Sequence, residues 1–121
     1  MRRGDEEYEA ALSAMEQILL DWVAQPFRPL YYSHLSELLA KQRHNVPAHD
    51  GPMPYLLEDC TRLHSDGAKP MLSAVVVLKG RDRPSSGFFT LARQQPFLRE
   101  GDDEKLWIAE LEHLEREYVR R

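Results

Sequence analysis

Cysteine is almost absent from this 121-residue chain. Cys60 stands alone, so no intramolecular disulfide staples the fold. No apolar run approaches the roughly 18 residues that a membrane-spanning helix needs. The first residues, MRRGDEEYEAAL, include two arginines but no hydrophobic stretch of the secretory kind. A cytoplasmic, reducing compartment is therefore expected. The six glycines are dispersed, and no glycine-rich phosphate loop is present. No internal repeat or low-complexity segment is visible. An excess of positive charge is also missing: the net charge is −4, which taken alone argues against a nucleic-acid partner.

The distribution of that charge points the other way. Residues 1–25 hold two arginines against six carboxylates, and residues 100–121 hold four basic against eight acidic residues, a net of −4 at each end. Residues 26–99 hold ten basic and six acidic residues, a net of +4. Local field decides what docks where. With 42% hydrophobic residues, the chain has enough apolar material for one domain with a real core.

The chain reads as helices around one valine-rich stretch. From Asp5 to Gln25, Tyr8, Leu12, Met15, Leu19 and Trp22 recur at helical spacing. Asp5, Glu6 and Glu7 suit the positive end of the helix dipole, and Gln25-Pro26 stops the helix. Tyr31-Tyr32 suits a short strand. Ser33 is a candidate N-cap for a short helix with Leu35, Leu38 and Leu39 inward. Arg43–Pro52 lacks periodicity. His44, His49 and Asp50 in it offer metal-ligand chemistry but no ligand pair at a recognised spacing.

Met53 to Ser65 is the third helix, with Gly67 placed to terminate it. Cys60 and His64, four apart, share a face. They are either a thiolate–imidazole pair or a buried apolar residue beside a helix-end cation. Pro70–Phe89, PMLSAVVVLKGRDRPSSGFF, reads as two antiparallel strands joined by a long, basic, flexible loop. A last helix follows Gly101-Asp102-Asp103, carrying Trp107, Leu111, Leu114 and Tyr118 on one face. It is expected to pack on the first. The apolar stripes of these two terminal helices also suit a homodimer seam.

The segments YYSHLSELLAKQ and GAKPMLSAVVVLKGRDRPSSGFF, within Phe27 to Leu91, give an order of elements that resembles the winged helix-turn-helix superfamily. A narrower likeness is to the DNA-binding half of alkylguanine-DNA alkyltransferases. Here PMLS stands where that family carries Pro-Cys-His-Arg, so alkyl-accepting chemistry is not implied. LSAVVVLKG and PSSGFF are also similar to segments of small bacterial domains, a likeness that carries no function. The resemblance implies an α+β winged helix, and the whole chain is expected to form one such domain over 1–121, with a core at 27–99 and acidic flanking helices at 5–25 and 102–121 that lie outside the resemblance.

The function expected is non-enzymatic and regulatory. Double-stranded DNA would be held by phosphate contacts from Lys79, Arg81 and Arg83 in the wing, assisted by Lys41 and Arg43. Lys69 is a further candidate for the basic footprint. Outward residues of the third helix would include Glu58, Asp59, Thr61, Arg62 and Ser65. Two carboxylates against one arginine make a poor base-reading surface. The alternative is a protein-interaction module on the same scaffold. No catalytic set, cofactor, metal or membrane contact is expected.

Overall fold

The computed structural model describes residues 1–49 and 51–120. Helix α1 spans Glu6–Val23, strand β1 Leu30–Tyr31, α2 Tyr32–Lys41 and α3 Met53–His64. A single 3₁₀ turn, Leu72–Val75, leads into strand β2, Val76–Val77. Helices α4, Ser86–Arg93, and α5, Asp103–Tyr118, complete the chain. The fold is a helix-rich α+β arrangement with one two-stranded sheet among the described residues.

Local chemistry explains the helix starts. The Asp5 carboxylate accepts from the Tyr8 amide and caps α1, and Asp102 caps α5 through the Lys105 amide. Each satisfies an amide that the first helical turn leaves without a partner. The α1 stripe is buried as its spacing predicts: Tyr8, Leu12, Met15 and Leu19 lie inside, joined by Ala11 and Val23. Helix α1 packs on α2, α3, the 3₁₀ turn and α5. Its apolar face is thus occupied within the chain. The second helix opens one residue before the candidate cap Ser33, with Tyr31 at the N-cap position.

The valine-rich stretch departs from expectation. Met71 to Val77 are all buried, and a run buried on every side carries no alternation to separate strand from helix. Its first half winds into the 3₁₀ turn, with the Ala74 amide bonded to the Met71 carbonyl at 3.1 Å. Only Val76 and Val77 remain extended. They pair with Leu30 and Tyr31 in parallel, not antiparallel, register. The expected second strand is instead α4. Phe88, Leu91 and Ala92 are buried at helical spacing, beside Phe89, and Ser85 takes the extended N-cap conformation. The antiparallel hairpin of a wing is therefore replaced by strand, loop and helix.

Helix α5 packs through its expected face, on which Trp107, Leu111, Leu114 and Tyr118 all meet the core, but Leu106 and Glu110 lie deepest beside Leu114. Its buried residues are Leu106, Glu110 and Leu114, whereas Trp107, Leu111 and Tyr118 are half-buried. Glu110 turns inward because two partners meet it there. Its Oε2 accepts from the Met71 amide at 2.9 Å, and its Oε1 accepts from Arg99 Nε at 2.5 Å. The Arg99 guanidinium also donates to the carbonyls of Gly67 at 2.8 Å and of Phe97 and Lys69 at 3.1 Å each. Trp107 Nε1 donates to the Ala74 carbonyl at 2.8 Å, which fixes α5 to the 3₁₀ turn.

Gly67 has a different role from ending α3, whose C-cap is Ser65. Its φ is +115°, and a Cβ there would lie 2.4 Å from the Pro96 carbonyl oxygen. Two backbone segments approach because no side chain separates them.

Removing one partner of a buried ion pair leaves the other charge uncompensated. Arg99→Met is expected to destabilise the fold by about 3 kcal/mol, and Arg99→Met with Glu110→Gln by less. Urea denaturation of the three proteins checks this. Gly67→Ala is expected to lower the urea midpoint too, because both backbone conformation and Pro96 oppose a Cβ. An unchanged midpoint would contradict the close approach.

A candidate site: a pocket beside a basic loop

Parallel pairing places the end of β1 beside the end of β2. Helix α2 begins directly after the first strand, and the basic loop directly after the second. The loop is closed by its own backbone. The Leu78 amide donates to the Arg83 carbonyl at 2.9 Å, and the Asp82 amide to the Leu78 carbonyl at 2.8 Å. Asp82 takes a positive φ of 52°, and its Oδ1 accepts from the Tyr31 hydroxyl at 3.0 Å. That bond raises the Tyr31 pKa, because the carboxylate favours the protonated phenol. Pro84 is buried at the loop's exit. The expected flexible wing tip is thus a turn held by hydrogen bonds.

Lys79, Arg81 and Arg83 are exposed on this turn. Their side chains have no hydrogen-bond or ion-pair partner among the described residues. The one acidic group between them, Asp82, is engaged by Tyr31. Lys41 and Arg43 are exposed as well, but they stand at the opposite end of α2. A ten-residue helix separates its ends by about 15 Å. The five cations therefore form two groups, not one patch. Lys69 lies on neither: its carbonyl is on the segment clamped by Arg99.

Beside the loop is a pocket of about 420 Å³. Leu57, Leu78 and Leu91 give it apolar walls, and Tyr32, His49, Tyr55 and Phe88 give it aromatic ones. Glu58, Thr90, Gln94 and Ser86 supply polar groups. The Tyr32 hydroxyl donates to Ser85 Oγ at 3.1 Å, tying α2 to the cap of α4. Burial raises the Tyr32 pKa. The Ser85 hydroxyl makes no capping bond to the first-turn amides of α4. The pocket lining comes from four separated segments, so no contiguous motif announces it. The one local signal was Ser85-Ser86-Gly87, which reads equally as a loop tip or a helix start.

The acidic face of α3 is partly neutralised by the N-terminal segment. Asp59 accepts from Arg3 and from the Tyr8 hydroxyl. The Arg3 hydrogen bond holds its carboxyl below the usual range, burial opposing and Tyr8 assisting. Glu58 lies 3.8 Å from Arg3 and 3.6 Å from Arg62. Two residues expected to point outward do not. Thr61 and Ser65 are buried, with Thr61 bonded to Ser73 at 2.9 Å and Ser65 Oγ donating to the Lys69 carbonyl at 2.7 Å.

Cys60 is fully buried, and desolvation pushes its thiol up to about 12. A thiol so held is protonated at neutral pH and is no nucleophile. His64 faces elsewhere: its Nε2 is 2.5 Å from the Tyr118 hydroxyl, and Nδ1 is 3.9 Å from Glu16. Burial, then Lys69, lowers its pKa, while Glu16 pulls it up. His44 is half-buried, and the His49 ring lies 5.9 Å from that of Tyr32. Asp50 lies outside the described residues. Among the described residues no cluster of three His, Cys, Asp or Glu is placed to hold a metal ion. No helix among them is long and apolar enough to cross a membrane.

The depressed pKa of His64 sets a sign for pH dependence. The folded state binds its proton less readily than the unfolded chain, so its contribution is present above the ordinary value of 6.5 and lost as pH falls through the lower folded value. Asp59 acts likewise below its ordinary 3.8. Stability is therefore expected to fall in two steps on acidification, the first below about pH 6.5. NMR titration of the His64 ring, with urea midpoints at matched pH, checks the first step. A folded-state pKa at or above 6.5 would contradict it.

Neither a protein-family model, nor a curated protein, nor a solved structure matches this chain.

Proposed function

We propose that this protein binds DNA without transforming it, holding backbone phosphates at the loop that carries Lys79, Arg81 and Arg83. The observation that carries this reading is the group of three exposed cations without partners among the described residues, on a turn whose sole carboxylate is already engaged. Phosphate contacts of this kind supply affinity and register and carry little sequence information. In terms of the winged-helix resemblance, α2 and α3 stand as the helix-turn-helix pair, and the turn with α4 takes the place of the wing. Lys41 and Arg43, at the far end of α2, assist only a strand long enough to span that helix.

Helix α3 contributes little to this reading. Its carboxylates Glu58 and Asp59 are held by Arg3, so it offers phosphates no clear cationic face. Binding is thus expected to be sequence-tolerant and steeply salt-dependent. The competing reading, a protein-interaction module, predicts attachment through apolar surface that added salt does not weaken.

Fluorescence anisotropy of labelled DNA at low and moderate salt tests the proposal. The wild type is compared with the Arg81→Ala, Arg83→Ala double variant and with Lys41→Ala, Arg43→Ala. The first variant is expected to reduce the slope of log affinity against log salt by about one to two. The second is expected to change it less. Absence of binding at low salt, or equal binding by wild type and the loop variant, overturns the proposal.

A further inference from the structure

We propose that the pocket beside the basic loop takes one unpaired nucleobase, so that the preferred ligand is single-stranded nucleic acid. This rests on the phosphate-binding reading of the loop and names the form of nucleic acid it serves.

Size is the first argument. At about 420 Å³ the pocket far exceeds a packing defect, since one water occupies roughly 30 Å³ of liquid. It lies in the lower part of the range of about 300–1,000 Å³ typical of small-ligand sites. A single planar group with its sugar suits such a space.

The lining is the second argument. Tyr32, His49, Tyr55 and Phe88 all line this one space. Aromatic side chains hold bases by stacking, and every base has a face to stack. Tyr55 is 52% exposed despite its size, and although the Arg3 guanidinium lies 5.3 Å from its ring centroid on one side, that exposure leaves ring surface accessible to a ligand entering from solvent. The opposite requirement, hydrogen bonding to a base edge, is met by Glu58 and Gln94. Gln94 Oε1 accepts from Arg62 at 3.4 Å, leaving its amide hydrogens as donors. Each carboxylate oxygen of Glu58 retains acceptor capacity beyond its ion pair. A lipid chain would leave these polar groups against hydrocarbon, which is unfavourable.

Continuity is the third. Leu78 and Ser85 line the pocket and bracket the basic loop on either side. A strand whose phosphates meet Lys79, Arg81 or Arg83 thus has its bases beside the pocket mouth. In a duplex those bases are paired and stacked inside the helix and unavailable to it.

The experiment compares three labelled ligands of equal length: a single strand, the corresponding duplex, and a single strand made wholly of abasic sites. The abasic strand keeps the phosphates and lacks the bases. Two variants probe the pocket, Tyr55→Ala, which removes a stacking face, and Thr90→Phe, which fills the space from an exposed position. Circular dichroism and thermal melting confirm that each is folded.

The wild type is expected to bind the ordinary single strand about tenfold or more tightly than the abasic strand. Both pocket variants are expected to bring the two strands level. Equal binding of ordinary and abasic strands by the wild type, or tighter binding of the duplex, overturns the base pocket while leaving the phosphate reading intact. No binding of any of the three at low salt overturns both.

Discussion

The Arg99–Glu110 pair is the constraint on which the remaining architecture depends. One guanidinium reaches the only charged side chain that is buried among the described residues, together with three carbonyls from two chain segments. The carboxylate in turn receives the Met71 amide. Helix α5, the entry to the 3₁₀ turn and the segment leaving α4 are thereby set in one arrangement. Charges taken out of water are costly, and the cost is offset only when each lone pair and proton finds a partner with good geometry. Here every side-chain nitrogen and oxygen that is buried among the described residues has a partner. The pair therefore acts on specificity: a packing of α5 that keeps Glu110 buried away from Arg99 strands a charge.

What this clamp orients is the strand pair and the site built on it. The 3₁₀ turn is fixed to α5 through Trp107 and the Ala74 carbonyl. It delivers Val76 and Val77 to Leu30 and Tyr31. The strand ends then position Tyr31, which holds Asp82, and Tyr32, which holds Ser85. Two consecutive tyrosines thus fasten the middle and the far end of the basic loop. The site is made of exposed, sparsely bonded side chains on a firmly bonded frame, a division typical of binding loops on scaffolds.

The sequence was legible where a periodicity had one cause. Tyr8, Leu12, Met15 and Leu19 repeat at helical spacing because a single helix face meets the core, and the acidic residues around Asp5 and Asp102 mark the two helix starts, although the structure decides which of them caps. It was illegible where two causes compete. Met71 to Val77 are buried on all sides, so hydrophobicity there says nothing of twist. Glycine and serine before Phe88 suit a loop as well as a helix start, and the structure realises the latter. On α5 the apolar face was legible but the inward Glu110 was not, because it reads as solvent-facing until Arg99, eleven residues earlier, supplies its counter-charge. The three cations of the loop were readable from composition, but the pocket was not. Tyr32, Tyr55, Glu58 and Gln94 meet only in three dimensions.

The parallel strand pair has a consequence for how the molecule assembles. Leu30 and Val76 are 46 residues apart, and all of α2 and α3 lies between them. Such a contact cannot nucleate by itself, because the entropy of closing so long a loop precedes any reward from two pairs of residues. The helices must condense first, and the strands join afterwards. The loop bearing Lys79, Arg81 and Arg83 acquires its shape only at that late stage, since Tyr31 and Tyr32 arrive with the first strand. A partly folded chain therefore carries the same charges without presenting them together. Display of the three cations together is a property of the completed fold, and a truncated chain keeps the charges without their arrangement.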